Sequence, residues 1–267
     1  MSFDEKQWPE FAETWIENWP SGLAKLSYPQ IGIPLNDSET HALGLLNGIH
    51  SHCFNANLAN KLDSLEKKLN DAIQHFPEGA FVRLGSRSPK DTLQGVINGC
   101  KAFDGQQAIR LLTSGSSRIA YDLRISIKAN YQPWIFVRQW KELSPDTEFR
   151  CFMQQRQLIG VSQYFHKTYF PRLNQEPIRK ALNESLWEFF TLFSKHCPID
   201  DVVFDIEINF DGNPKITLIE INPFHPLTEA CLFSWDKYDF DGSVRVLEKY
   251  CHIEYNPSSN SIFLKKV

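Results

Sequence analysis

The stretch VVFDIEINFDGNPKITLIEIN, from Val202 to Asn222, is the most informative part of the chain for the fold. Apolar residues dominate both halves, and Asp211-Gly212 between them is a typical turn sequence. The pattern predicts two antiparallel strands, 202–209 and 215–222, joined as a hairpin. Because both strands carry few polar residues, we expect the hairpin to lie in a buried sheet.

Three carboxylates interrupt the strands of this apolar hairpin, at Asp205, Glu207 and Glu220. Alternation of side chains puts Leu218, Glu220 and Asn222 on one face of the second strand. Folding about the turn places Asp205 opposite a position near 218 to 220, so Asp205 and Glu220 should be cross-strand neighbours or nearly so. Facing carboxylates repel each other in a buried sheet, and Mg²⁺ bound by Asp205, Glu220 and the Asn222 amide oxygen would remove that cost. The alternative is pairing of the carboxylates with Arg or Lys from another strand.

Composition restricts the class of protein. Of 267 residues, 42% are hydrophobic and 22% are charged, which is typical of a globular domain, and the length fits two lobes or one large domain. With 28 basic and 32 acidic residues the net charge is −4. A nucleic-acid partner is not expected, because non-specific binding requires an excess of positive charge.

Cysteine spacing and the N-terminus bear on location. The six cysteines form no C-x-x-C pair, which excludes the usual zinc spacing and is typical of reduced thiols. The N-terminal sequence lacks the apolar stretch of a signal peptide, and no run of eighteen apolar residues occurs. We therefore expect a cytoplasmic monomer that does not enter membranes.

Helical and strand patterns are mixed along the chain. The first fifty residues predict short helices and loops. Apolar spacing predicts helices over 57–76, 91–103, 104–112, 115–125, 177–195 and 241–250. Besides the hairpin, strands are predicted over 80–84, 133–140, 147–153 and 157–165. Hairpins rather than regular βαβ units favour an α+β fold with antiparallel sheets.

The segment 83–91, RLGSRSPKD, is a candidate phosphate-binding loop. Backbone amides, hydroxyls and guanidinium groups around a glycine suit a polyphosphate. The alternative is a solvated surface turn, although Arg83 lies within an apolar strand, where an arginine requires a partner. The segment is not a Walker loop, since G-K-[ST] is absent. The candidate side chains are Arg83, Ser86, Arg87, Ser88, Lys90 and Asp91.

The next two strands carry further polar candidates. Arg138 shares a strand face with Trp134, Phe136 and Trp140, so it stacks on aromatic rings or faces a nucleotide. Glu148 and Arg150 share a face of the following strand, a spacing that is also common in structural ion pairs.

These residues resemble the cell division cycle protein 123 family. The similarity spans residues 80–238, with consistent order and spacing throughout. The matching motifs are SPKD (88–91), RQWKEL (138–143), EFRCF (148–152), LIGVSQ (158–163), FDI (204–206), LIEINPF (218–224) and LFSW (232–235).

The resemblance implies an ATP-grasp fold, with two α+β lobes, mixed or antiparallel sheets, and a nucleotide cleft between the lobes. We expect residues 1–130 to form the N-terminal lobe with the phosphate-binding loop 83–91. Residues 131–267 would form the C-terminal lobe with the metal-binding hairpin 202–222. ATP and Mg²⁺ are the implied cofactors.

Site residues follow from the resemblance by position. Asp205, Glu220 and Asn222 fall on the metal ligands, and Arg83 falls on a phosphate-binding lysine. The remaining nucleotide contacts come from the strand 133–140, which leads into the adenine hinge, and from acidic residues after it. These are Arg138, Gln139, Trp140, Glu142 and Glu148, and Arg150 is the candidate catalytic residue that neutralises transferred charge.

The chain also departs from the family pattern. The eukaryotic proteins have Lys at the position of Arg83 and Asp at the position of Glu220. The long acidic insertion of those proteins is missing, and the first seventy residues do not match. These differences leave phosphoryl transfer less supported than phosphate binding, because Arg and Lys differ in geometry.

Two functions remain open. Eukaryotic members of the family are chaperones that assemble translation initiation factor 2 by binding its gamma subunit, which predicts a protein partner such as a translation-factor subunit. The alternative is an ADP-forming ATP-grasp ligase that makes an acyl-phosphate intermediate. A third hypothesis, a domain that has lost nucleotide binding, is opposed by the complete set Asp205, Glu220 and Asn222.

Overall fold

The chain forms two compact units, Met1–Glu142 and Leu143–Val267. The boundary lies further along the chain than the predicted division after residue 130, because the strand Trp134–Gln139 hydrogen-bonds to two strands of the first unit. The structure, a computed structural model, describes residues 11–48, 58, 60–212, 214–248, 251–256 and 261–266.

The first unit is an antiparallel four-stranded sheet with helices. In chain order its elements are α1 (Ser21–Ala24), β1 (Gln30–Pro34), α2 (Asp37–Leu46), α3 (Asp63–Ile73), β2 (Ala80–Leu84), α4 (Leu93–Asn98), β3 (Lys101–Ala102), α5 (Gly105–Leu112), α6 (Ser117–Lys128) and β4 (Trp134–Gln139). The sheet order is β1-β4-β2-β3. The predicted strands at 80–84 and 133–140 are confirmed, whereas β1 was not predicted.

The helix predictions for this unit are partly correct. The helix predicted over 57–76 is confirmed as α3, although residues 57 and 59 lie outside the described part. The helix predicted over 91–103 is wrong after Asn98, because Gly99 adopts the left-handed conformation that ends α4 and β3 follows. Side-chain caps from Asp104 and Ser116 begin α5 and α6.

The two faces of this sheet differ in chemistry. Val82, Leu84, Ile135 and Val137 point into the hydrophobic core, together with the buried residues of α2, α3, α5 and α6. Alternation along the strands sends Arg83, Phe136 and Arg138 to the opposite face. That face is called the arginine face below.

The second unit is built on a mixed five-stranded sheet. Its elements are β5 (Glu148–Gln154), β6 (Gln157–Gln163), α7 (Glu176–His196), β7 (Val202–Asn209), β8 (Lys215–Pro223) and β9 (Val244–Arg245), followed by the hairpin β10 (Cys251–Asn256) and β11 (Ser261–Lys266). The order is β8-β7-β5-β6-β9. Only the β6–β9 pairing within this sheet is parallel, so the predicted α+β class with antiparallel and mixed sheets is confirmed.

Aromatic packing covers one face of this sheet with α7. Phe193 stacks on Phe204 of β7 at 3.9 Å between ring centroids, and Phe189 and Phe190 lie beside the same ring at 6.5 Å. The predicted helix over 177–195 is confirmed, with Pro177 in its first turn as expected.

Residues 224–243, the crossing segment, run from β8 to β9 and therefore between opposite edges of the sheet. Phe233 and Phe240 of this segment pack on Phe152 of β5 at 5.5 and 4.8 Å, which covers the second face. Gly160 of β6 makes this possible, since a Cβ there would lie 2.7 Å from the Phe233 ring.

The helix predicted over 241–250 is wrong for its described residues, 241–248, which contain the short strand β9 instead. Arg245 donates to the carboxylates of Asp239 and Asp241, and Val244 pairs with Val161 of β6. These contacts fix an extended chain.

None of the helices within the described residues combines the length and apolarity that crossing a membrane requires.

Candidate functional site

A row of charged side chains crosses the sheet of the second unit. Arg150 of β5 pairs in register with Asp205 of β7, which pairs with Glu220 of β8. The predicted juxtaposition of Asp205 and Glu220 is therefore confirmed. The prediction that Leu218 shares their face is wrong, because a β-bulge shifts the register after Asp205 and pairs Leu218 with Ile206.

Arg150 and Asp205 form a buried bidentate ion pair. Nε and Nη2 of Arg150 each donate to one oxygen of Asp205 at 2.8 Å, and both side chains are buried. Arg150 Nη1 also donates to the carbonyl oxygen of Glu229 in the crossing segment at 2.9 Å, and its guanidinium lies 4.9 Å from the Tyr164 ring centroid. Asp205 therefore pairs with a cationic side chain, which is the alternative role that the sequence left open.

Burial and neighbouring charges act against each other in this pair. Burial lowers the pKa of the Arg150 guanidinium, but the charge and hydrogen bonds of Asp205, together with Cys231 and Tyr164, raise it above its ordinary value, so the group stays charged. Burial raises the pKa of Asp205, and Arg150 does not fully offset burial together with the charge of Glu220. The Asp205 carboxylate therefore lies between the Arg150 guanidinium and the Glu220 carboxylate.

Asn222 brings the third predicted ligand to the same place. Its Nδ2 lies 3.4 Å from Asp205 Oδ2 and 3.5 Å from Glu220 Oε1, so the three side chains converge. The two amide atoms are interchangeable by a flip, which would turn the Asn222 oxygen toward the same point. Two carboxylates and an amide oxygen are hard oxygen donors of the type that Mg²⁺ accepts together with water and phosphate.

The predicted metal ligands do not form a site that is enclosed by protein ligands alone. Within the residues that the structure describes, no cluster of three or more His, Cys, Asp or Glu side chains is arranged to hold a metal ion. The predicted set is not such a cluster, because it has two carboxylates and one amide. The donors consequently fit a cation that takes most of its ligands from a nucleotide and water rather than a site enclosed by protein.

Several side chains lie near this row, and of these only Glu148 was among the residues predicted from the sequence. Glu148, a predicted nucleotide contact, pairs in register with Glu207 one row away, and Glu207 is buried. Burial and the charge of Asp205 raise the pKa of Tyr164, which follows β6. Burial likewise raises the pKa of the Cys231 thiol to about 12, although Arg150 acts to lower it. The strand order and the path of the crossing segment bring these groups together, and the sequence pattern reveals neither.

The predicted phosphate-binding loop belongs to the first unit. Two of its side chains form hydrogen bonds with residues of α6 and of its N-terminal cap. Arg87 Nε donates to Asp122 Oδ2 at 2.5 Å, and Asp91 accepts from the Ser116 hydroxyl at 2.6 Å. Burial raises the pKa of Asp122 in spite of Arg87 and Ser86. Arg83 is buried on the arginine face and donates from Nε to the Leu84 carbonyl at 2.9 Å.

The remaining candidates of the loop and of β4 differ in exposure. Ser88 is half-buried, and Lys90 is exposed with its ammonium 5.8 Å from the Phe81 ring. Arg138 is buried, and its Nη2 donates to the Ser27 hydroxyl at 2.6 Å. Gln139 and Glu142 are exposed, whereas the half-buried Trp140 ring lies 3.7 Å below the Lys101 ammonium.

Arg83 and Arg138 therefore share the arginine face of the first unit, while Arg150, Asp205, Glu220 and Asn222 meet on the sheet of the second unit.

A carboxylate that the sequence analysis did not single out lies against the start of the loop. Glu17 lies so close to Gly85 that a Cβ at that glycine would be 1.5 Å from Glu17 Oε2. The Tyr131 hydroxyl donates to Glu17 Oε1 at 3.2 Å. Burial raises the pKa of the Glu17 carboxyl to about 7, against the lowering effects of nearby backbone amides, Tyr131 and Arg83.

Comparison with known proteins places these features in a family. The family model described as D123 matches residues 50–261, which is most of the chain. The chain belongs to the D123 family. The resemblance to the cell division cycle protein 123 family is thereby confirmed.

Relatives within the D123 family are named translation initiation factor eIF2 assembly proteins. The protein of Dictyostelium discoideum is 34% identical over 187 residues, which cover 65% of this chain and 46% of that protein. The protein of Xenopus tropicalis is 30% identical over 179 residues, covering 64% and 52%. The chain thus spans about half the length of the curated relatives that it matches.

A solved structure agrees in fold. The structure of Cdc123 from Schizosaccharomyces pombe matches with a TM-score of 0.73 at 22% identity, over 93% of this chain and 100% of that chain. At this identity the comparison shows a shared D123-family fold.

Proposed function

We propose that this D123-family chain binds Mg²⁺-ATP in the cytoplasm and acts on a protein partner, as an assembly factor for a translation factor. The observation that carries ATP binding is the convergence of Asp205, Glu220 and Asn222 beside a fixed guanidinium. The partner is suggested by the names of the relatives, which are eIF2 assembly proteins.

The residues of the second unit have separate parts in this proposal. Oxygens of Asp205, Glu220 and Asn222 hold the cation, which neutralises phosphate charge when it is bound. Arg150 is kept in one orientation by Asp205 and the Glu229 carbonyl, so it presents a second positive charge without reorganisation. Burial of Arg150 and Asp205 strengthens the interaction between their charges, because little water reaches this pair.

A ligase that forms an acyl phosphate is the second candidate. The observation in its favour is Arg150, since a positioned guanidinium beside carboxylates suits the charge that develops during phosphoryl transfer. The assembly function requires bound ATP and a partner but no covalent product, so the two candidates differ in what they release.

The first experiment tests nucleotide binding. At a hundred times its dissociation constant, Mg²⁺-ATP should stabilise the protein by about 2.7 kcal/mol, measured as a rise in melting temperature. Glu220→Gln should abolish the Mg²⁺-dependent part of this rise. Glu188→Gln, an exposed substitution on α7 in the same unit, is the matched control and should behave like the wild type. An unchanged wild-type melting temperature would exclude the nucleotide proposal.

The second experiment separates the two functions. Purified protein is mixed with subunits of eIF2 and Mg²⁺-ATP, and complex formation, ADP and covalent masses are measured together. An assembly factor forms a stoichiometric complex with little ADP, whereas a ligase releases ADP in step with a modified acceptor. A covalent product that disappears in Asp205→Asn and Glu220→Gln would rule out assembly as the main function.

A further inference from the structure

The short helix α4 of the first unit presents its apolar side chains to solvent rather than to the core. Leu93, Val96 and Ile97 are spaced at i, i+3 and i+4, so they share one side of the helix. Their exposed fractions are 76%, 69% and 71%. The solvent side of a helix is usually polar, so three large apolar side chains in one patch indicate a surface that another molecule covers. This patch is called the α4 face below.

Contacts on the opposite side of α4 fix this orientation. Gly95 is buried there, and a Cβ at this position would lie 2.0 Å from the Pro89 carbonyl oxygen. The Thr92 hydroxyl caps the helix by accepting from the Gly95 amide at 3.0 Å, and it donates to the Pro89 carbonyl at 2.9 Å. The side of α4 that faces the protein therefore has room for a glycine but not for an apolar side chain, and the α4 face stays exposed.

Basic side chains lie at the N-terminal end of α4. Lys90, two residues before the N-cap Thr92, is exposed. Asp91 accepts from the Ser116 hydroxyl at 2.6 Å and from the Arg118 backbone amide at 3.3 Å, which brings the start of α6 to the same end of α4. The Arg118 side chain is exposed. Two cations and one carboxylate thus lie at this end.

A third cation lies at the C-terminal end of α4. Gly99 ends the helix, and Lys101 follows two residues later with its ammonium 3.7 Å from the Trp140 ring centroid. Together, the three cations and one carboxylate at the two ends of α4 leave a local charge of +2, whereas the whole chain carries −4. The surroundings of the α4 face therefore have the opposite sign to the chain as a whole.

We propose that the α4 face is the docking surface for an acidic amphipathic segment of the protein partner. This inference rests on the proposed assembly function and adds to it the place and the chemistry of partner binding. Apolar side chains of the segment cover Leu93, Val96 and Ile97, while its Asp or Glu side chains meet the flanking cations. A second copy of the chain fits less well, because a symmetric contact between two α4 faces brings like charges together.

The first test removes apolar surface and measures binding of the purified eIF2 subunits to the full-length protein by calorimetric titration with Mg²⁺-ATP present. Leu93→Ser combined with Ile97→Ser is the variant. Leu45→Ser is the matched control, because Leu45 is a 59% exposed leucine on α2 of the same unit. The double variant should bind about tenfold more weakly, equivalent to about 1.4 kcal/mol, and the control should bind like the wild type.

The second test reverses one flanking charge. Arg118→Glu should weaken the same complex several-fold at low salt and less at high salt, since salt screens charges at the edge of an interface. Lys67→Glu, which changes an exposed lysine on α3, is the control and should have no such effect. Binding that Arg118→Glu leaves unchanged at low salt would overturn the acidic character assigned to the partner segment.

The outcomes are separable from those of the proposed function. Wild-type affinity in the Leu93→Ser, Ile97→Ser variant overturns this inference and leaves the assembly proposal intact. Absence of a complex with the wild type removes both, while the rise in melting temperature with Mg²⁺-ATP reports nucleotide binding independently. Dimerisation in sedimentation, or binding to phosphatidylserine vesicles, that the double variant loses would assign the α4 face to a second copy or to a membrane and would overturn the inference as well.

Discussion

Asp205→Asn should destabilise the protein in the absence of any ligand. Both carboxylate oxygens of Asp205 accept 2.8 Å hydrogen bonds from Arg150, and the pair is buried. The substitution leaves a buried guanidinium with a neutral amide that offers one acceptor. Breaking a buried pair in this way costs about 3–5 kcal/mol. Without Arg150, the same substitution would instead relieve repulsion from Glu220 and raise stability.

The free energy of unfolding is measured by urea denaturation of the apo protein at pH 7.5, followed by circular dichroism. Glu220→Gln is the contrasting variant, since it keeps both hydrogen bonds of the Arg150–Asp205 pair and should cost less stability than Asp205→Asn. In the background of Arg150→Met, Asp205→Asn should no longer destabilise the protein, giving a coupling energy of about 3 kcal/mol or more. A neutral or stabilising effect of Asp205→Asn on the otherwise wild-type protein would refute this reasoning.

Three further changes test other parts of the molecule. Arg83→Ala should weaken ATP binding much more than adenosine binding in calorimetry, while Arg83→Lys keeps most of the affinity; equal losses for both ligands would remove Arg83 from the phosphate site. The pKa of Glu17 rises on folding from 4.5 to about 7, so its stabilising effect is complete below pH 4.5 and is lost as the pH rises toward 7. Stability relative to Glu17→Gln should therefore fall by about 3 kcal/mol across that window, and parallel pH profiles would contradict it. Gly160→Ala should lower stability by roughly 1–3 kcal/mol in thermal melts, because the added methyl group meets the Phe233 ring; an unchanged melting temperature would show that the ring moves freely.

The hairpin could be predicted because its evidence is local. Strand alternation and the Asp211-Gly212 turn fix which residues face each other, so Asp205 opposite Glu220 followed directly. The bulge beside Asp205 could not be predicted, since both strands are equally apolar on either side of it. The family motifs likewise indicated candidate site residues, because these motifs are contiguous in sequence.

The partner of Asp205 was not determined by the sequence pattern. β5 lies between β7 and β6, and nothing in the periodicity of these strands specifies that order. The contact of Glu17 with Gly85 could not be predicted for a related reason. The two residues are far apart in sequence, and Glu17 lies in a single short 3-10 turn without periodic spacing. Contacts of this kind depend on tertiary arrangement rather than on local preference.

The crossing segment imposes an order of assembly on the second unit. It joins strands at opposite edges of one sheet, so β9 can pair with β6 only after the whole segment has been synthesised. The hydrogen bond from Arg150 to the Glu229 carbonyl joins residues that are 79 positions apart. Closing a loop of this length has an entropic cost, which slows folding. A nascent chain that ends before Val244 therefore leaves the outer edge of β6 without its partner strand.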